Sequence, residues 1–166
     1  HPSVMGPMAE VVVRSTQFLS DADARAMAVY LQALPQHAAT PAKQAVAPAS
    51  VMERGAKVYE AQCAQCHGAQ GQGAKDEAGQ PAFPPLAGNR AVVLADPTNL
   101  VRVVLQGGYL PATAGNPRPH GMPPFQHLLG DEDVAAVATF VRNSWDNQAA
   151  GVGTIEVYRA RERRSP

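Results

Sequence analysis

Cys63-Ala64-Gln65-Cys66-His67 decides how this chain is read. Two thiols three residues apart, with an imidazole on the next residue, form the attachment pattern of c-type haem. Each thiol adds to one vinyl group of the porphyrin, and cysteines at that spacing at a helix end span the two vinyls. The adjoining His67 then projects its ring at the iron. Other thiol chemistries fit less well. A redox Cys-x-x-Cys pair has no use for His67 and usually opens a helix after a strand, whereas an amphipathic helical pattern precedes Cys63. A zinc site would crowd Cys66 and His67 round one tetrahedral ion and has no second cysteine pair to complete it. The chain's two cysteines are too few and too close for the disulfide framework of a small secreted domain.

Composition agrees with a chain built round something other than its own side chains. Of 166 residues, 45% are apolar but only 5% aromatic, with a single Trp. A core of Ala, Val and Leu is thin in large groups and leaves room for another filler. Fourteen basic and fourteen acidic residues give no formal net charge, which argues against a nucleic-acid binder. No apolar run approaches the roughly 18 residues of a membrane span. Fifteen Pro and fourteen Gly predict much loop. His1-Pro2-Ser3 opens without a secretory leader, so the expectation is a mature product, a fragment or part of a longer protein.

Helical periodicity marks three stretches. Asp21 to Leu34 sets Ala22, Ala26, Val29 and Tyr30 on one face, capped by Ser20 and stopped by Pro35. A second helix starts at Ser50, whose spacing to Glu53 is that of a capping box, and aligns Met52, Ala56, Tyr59 and Cys63. A third runs from Asp131 to Trp145 with Val134, Val137, Ala138 and Val141 inward. A shorter helix starts at Asp96-Pro97 and ends at Gly107-Gly108. Residues 36–49 read as an Ala/Pro linker. Asp21 to Leu31 also matches Asp131 to Val141 at a constant offset of 110 residues (Asp131 against Asp21), with Asp23/Asp133, Ala26/Ala136 and Ala28/Ala138 identical. An offset of that size is close to a small domain. Residues 1–35 are therefore expected to be the tail of a preceding, similar domain.

A haem iron held by His67 wants a sixth ligand. The methionines are Met5, Met8, Met27, Met52 and Met122. Met27 sits in a helical stripe and reads as core, and Met52 shares a helix with the thiols and cannot reach round the ring. Met122 lies in Gly121-Met122-Pro123-Pro124-Phe125, where fixed proline dihedrals hold a long thioether at one place. It is the expected ligand, with His120 and His127 as rivals.

Helix, haem motif, proline loop, short helix, methionine loop and final helix, taken in that order over residues 50–148, resemble the class I cytochrome c family. The resemblance implies an all-α fold wrapped round one haem c, with long Pro/Gly-rich loops. It also implies that a proline carbonyl in Phe83-Pro84-Pro85-Leu86-Ala87-Gly88-Asn89 accepts a bond from the His67 ring, with Pro84 ahead of Pro85, and that Leu86 packs on the ring. Gly55 is expected where the first and last helices cross, against Ala138 or Phe140. Asp96-Pro97-Thr98-Asn99-Leu100 through Gly108 and Val141-Arg142-Asn143-Ser144-Trp145 look like the last haem domain of multi-haem cytochrome c subunits of bacterial alcohol- and gluconate-type dehydrogenases. Gly6-Pro7-Met8-Ala9-Glu10 is similar to the axial-methionine segment of their middle domain, which marks Met8 as a conditional ligand to a further, preceding haem. Two upstream haem motifs of that group are absent here.

The resemblance implies an electron-transfer subunit with no catalytic residue of its own. It would accept electrons from a dehydrogenase catalytic subunit and pass them to quinone, oxidase or another cytochrome. Its expected place is the periplasm, with peripheral association at the inner membrane through partner subunits. The alternatives are a peroxidase-like haem enzyme with a displaceable distal ligand, and a cytochrome subunit of a molybdenum hydroxylase. Residues 149–166 are expected to be an extension, whose basic stretch Tyr158 to Arg164 is read as a solvated tail able to dock on a partner or on anionic lipid.

Overall fold

The computed structural model describes residues 4–35, 46–75, 77, 79, 81–117 and 119–162. Most of the expected linker, Arg163 and Arg164 lie outside the described residues. The helices are α1 (Pro7–Arg14), α2 (Asp21–Ala33), α3 (Ala49–Gln62), α4 (Ala64–His67), α5 (Thr98–Gln106), α6 (Asp131–Asn143) and α7 (Thr154–Glu162). Two small antiparallel ribbons lie between them: β1 (Ala74–Lys75) with β2 (Pro81–Phe83), and β3 (Gly108–Tyr109) with β4 (Gly121–Met122).

The helix ends follow local chemistry, with one exception. Ser20 accepts the Asp23 N–H at 3.1 Å and opens α2. The Asp96 carboxylate accepts the Thr98 N–H at 2.8 Å, so α5 starts just after Pro97 and stops at Gly107, whose φ of 67° suits glycine. The expected capping box at Ser50 and Glu53 does not form. The helix begins one residue earlier, with Pro48 at its N-cap and no side-chain cap bond. Proline's fixed φ already starts the turn there.

The α3–α6 crossing organises the rest. Gly55 is buried where the helices meet, and a Cβ there would lie against Ala136 O and 2.6 Å from Phe140 Cβ. The small neighbour is Ala136, two residues before the expected Ala138, while Phe140 is as expected. Arg54 pins the crossing from α3 by pairing with Glu132 and, at 2.7 Å, with Asp133. Below it α5, α6 and α7 enclose Val101, Leu105, Phe125, Leu129, Val134, Ala138, Val157 and Ala160. A second cluster joins Tyr59, Val92, Val137 and Val141, edged by the half-buried Cys63, Ala64, Leu86 and Trp145.

Two expectations need correction. The C-terminal stretch is not a solvated tail as far as Glu162. Val157 is 0% exposed in the core, and Arg161 is bonded to α6 and to the loop before it. Burying a side chain like Val157 stabilises by about 1.5–3 kcal/mol, so this segment folds as α7. Met27 is not core, being 52% exposed. Helices α1 and α2 bury none of their residues, so among the described residues the apolar stripe that carries Met27 is left uncovered.

Candidate functional site

Cys63 ends α3 and begins α4. Its carbonyl accepts the N–H groups of Cys66 at 3.2 Å and His67 at 2.9 Å. That single turn keeps both thiols half-buried and unpaired with each other. Burial first, and the neighbouring Cys66 second, push the Cys63 thiol up to about 11.

The ring of His67 is tied down from the other side. Its Nδ1–H donates to Pro84 O at 2.9 Å, since a carbonyl can only accept. Backbone bonds brace the loop that carries Pro84. Leu86 N–H and Ala87 N–H both reach Gly71 O, at 2.7 and 2.9 Å, and Gly73 N–H reaches His67 O at 2.8 Å. Gly73 must be glycine: its φ is 73°, and a Cβ would sit 2.8 Å from Pro85 N. Burial lowers the His67 pKa, with the Pro84 bond opposing it. A neutral ring with Nδ1 protonated leaves the lone pair on Nε2, the form that binds a metal.

Met122 stands in β4, half-buried against the core cluster of α5, α6 and α7. Its loop is fastened to the end of α5, where Phe125 N–H meets Val104 O at 3.1 Å and Gln126 N–H meets Leu105 O at 3.0 Å. The rivals are placed otherwise. His127 is exposed, and His120 is exposed with its ring 4.6 Å from that of Phe83. Met52 is half-buried on α3, Met5 lies beside Gly108, and Met8 is 57% exposed on α1.

Three residues support the site in roles that the sequence did not assign to them. Arg142, 1% exposed, donates to Val92 O at 2.7 Å, Leu94 O at 2.8 Å and Ala150 O at 2.8 Å. Asn147 donates to Leu86 O and Val141 O and accepts from Gly88 N–H, joining the proline loop to the end of α6. Tyr59 donates to Gly68 O at 2.6 Å, and its ring packs at a tilt against that of Trp145 with centroids 4.9 Å apart. A charged residue one step beyond the buried Val141 was the signal for Arg142; nothing marked Asn147.

The donor set fits a haem. Two thiols sit one turn apart, a neutral imidazole follows with its far nitrogen available, and a thioether lies on a separate, braced loop. Soft sulfur and imidazole donors suit haem iron. Half-buried Leu86, Val93, Leu100 and Val104 supply apolar surface alongside.

Comparison with known proteins agrees. The cytochrome c family model matches residues 52–145. The cytochrome c subunit of the quinone alcohol dehydrogenase of Gluconobacter oxydans is 38% identical over an alignment covering the whole chain and 36% of that relative. The gluconate 2-dehydrogenase cytochrome c subunit of Pantoea cypripedii is 35% identical over 94% of this chain and 36% of its own length. Cytochrome c-552 of Thermus thermophilus is 37% identical over 55% of the chain and 67% of its own length. The chain spans about a third of the length of the dehydrogenase subunits it matches. It belongs to the cytochrome c family, whose mostly α-helical fold it shares and whose cofactor is a covalently bound haem c.

Proposed function

We propose that residues 50–148 hold one haem c on Cys63 and Cys66, with His67 and Met122 as its iron ligands, and that the chain transfers electrons rather than catalysing a reaction. The observation that carries this is the 2.9 Å bond from His67 Nδ1 to Pro84 O, one residue after Cys66. It aims the ring, fixes its tautomer and makes Nε2 the stronger donor. When bound, the haem would supply one-electron exchange, with His67 and Met122 as the residues that would hold its iron. Around it the chain's residues orient and exclude water. Leu86 offers apolar cover for the ring, and the thioether of Met122 favours the ferrous state over bis-imidazole ligation. No acid or base is required. A peroxidase-like site would need His120 or His127 beside an open position. Both are exposed, and His120 lies against Phe83.

Relatives named as cytochrome c subunits of alcohol, gluconate and fructose dehydrogenases support a dehydrogenase catalytic subunit as the electron donor. The acceptor is a quinone, an oxidase or another cytochrome. The location is periplasmic, at the outer face of the inner membrane through partner subunits. Among the described residues no helix is long and apolar enough to cross a membrane. Residues 1–35 close a preceding cytochrome c-like unit, residues 36–49 link it to the next, and Met8 is a ligand to that unit's haem. The support is that α2 and α6 begin at the matching Asp21 and Asp131 with 13 residues each, yet α2 is exposed throughout.

Intact mass and a reduced spectrum test the site. One haem retained after denaturation, with a ferric thioether–iron band lost in Met122→Ala, is the expected result. A mass equal to the bare polypeptide overturns it. Counting haems in a longer form of the protein that includes upstream sequence tests the domain reading.

A further inference from the structure

We propose that α7 is a clasp for the methionine-bearing loop and that Arg161 is its positioning residue, holding Met122 through the backbone that follows it. This rests on reading Met122 as the iron ligand. After Met122 the chain passes Pro123-Pro124 and is gripped from two sides. On one side Phe125 and Gln126 donate their N–H groups to the last carbonyls of α5. There Gly107 packs so closely that a Cβ would lie against Met122 O and 2.8 Å from Pro124 N.

On the other side lies the guanidinium of Arg161. It donates to Gln126 O, through Nη2 to Leu129 O at 3.1 Å, and through Nε to Asp131 Oδ1 at 2.9 Å. Gln126 is thus held by its N–H from α5 and by its carbonyl from α7. One planar fork joins two loop carbonyls to the first residue of α6, an arrangement that a lysine's point charge does not reproduce. Beneath it Val157 and Ala160 of α7 share a core cluster with Phe125 and Leu129. Helix α7 lies outside the residues that match the family model, so the clasp is an addition to the shared domain.

A thioether is a weak donor to ferric iron. How often the sulfur leaves therefore depends on how readily its loop moves. Two consecutive prolines with locked φ transmit the anchor at Gln126 back to Met122 with little slack. Releasing the Gln126 and Leu129 carbonyls should raise the open fraction.

The test compares ferric holoproteins: wild type, Arg161→Ala, Arg161→Lys, Met122→Ala and Arg54→Ala. Arg54 pairs with Glu132 and Asp133 at the same end of α6 without touching the loop. It controls for a general loss of stability, read from denaturant midpoints. Cyanide binding reports the open fraction, because cyanide enters only where the sulfur has left the iron. Loss of charge-assisted hydrogen bonds of this kind predicts about tenfold faster cyanide binding in Arg161→Ala. Arg161→Lys should fall between it and wild type, and Arg54→Ala should stay at the wild-type rate. Arg161→Ala binding cyanide no faster than Arg54→Ala, while wild type keeps its thioether–iron band, overturns the clasp alone. A wild type without that band, or a band that survives in Met122→Ala, overturns the ligand reading and the clasp with it.

Discussion

Gly55→Ala adds one methyl group at the α3–α6 crossing, and the structure sets its cost. The new Cβ would meet Ala136 O and lie 2.6 Å from Phe140 Cβ, whereas ordinary contact begins near 3.4 Å. The helices must therefore part by at least about 0.8 Å, since the contact with Ala136 O is tighter still. The opposing groups are backbone and Cβ of a buried helix that Arg54 ties down, so no flexible side chain can yield. Overpacking of this kind costs about 3 kcal/mol. Replacing glycine inside a helix returns about 1 kcal/mol. The net loss is about 2 kcal/mol, or about 8 °C in Tm at roughly 4 °C per kcal/mol. Urea and thermal unfolding of the holoprotein measure it. Ala61→Gly, exposed on the same helix, supplies the propensity baseline and should lose about 1 kcal/mol. A Gly55→Ala protein as stable as wild type would show that the crossing is not close-packed and refute the reasoning.

Arg142→Met leaves the carbonyls of Val92, Leu94 and Ala150 without their donor. It should cost about 3 kcal/mol or more, read as a lower urea midpoint, and Arg142→Lys should recover little of it. Asn147→Ala frees the proline loop from α6. Amide exchange at Leu86 and Ala87 should quicken about tenfold, with about 2 kcal/mol lost overall. Burial, with the neighbouring Cys63 as the smaller cause, pushes the Tyr59 hydroxyl from its ordinary 10.0 up to about 12. The unfolded chain therefore gives up this proton before the folded one does. Stability present below pH 10 should fall between pH 10 and 12, and Tyr59→Phe should flatten that fall in a pH series of unfolding midpoints. The same variant loses its bond to Gly68 O, about 1 kcal/mol at neutral pH.

The parts of the fold legible in the chain alone are those written in local spacing. Helices α2, α3, α5 and α6 were readable because 3.6-residue periodicity, Ser20, Asp96-Pro97 and the glycines that end helices act within one or two turns. Helix α7 was missed. Val157 and Ala160 make only a short apolar stripe among charges, and its burial depends on α5 and α6 arriving from far along the chain. Met27 was misread for the converse reason, since a periodic stripe records only that a partner surface is wanted.

Cys63, Cys66 and His67 are adjacent, so their chemistry was set by covalent neighbourhood and needed no fold to be recognised. Everything that aims that chemistry acts across distance. Pro84 meets the His67 ring, Asn147 meets Leu86, and Arg161 meets Gln126, over separations of 17, 61 and 35 residues. Each of these bonds ends on a main-chain carbonyl. Every residue carries a carbonyl, so the side-chain sequence names no partner, and only the folded backbone selects which ones converge.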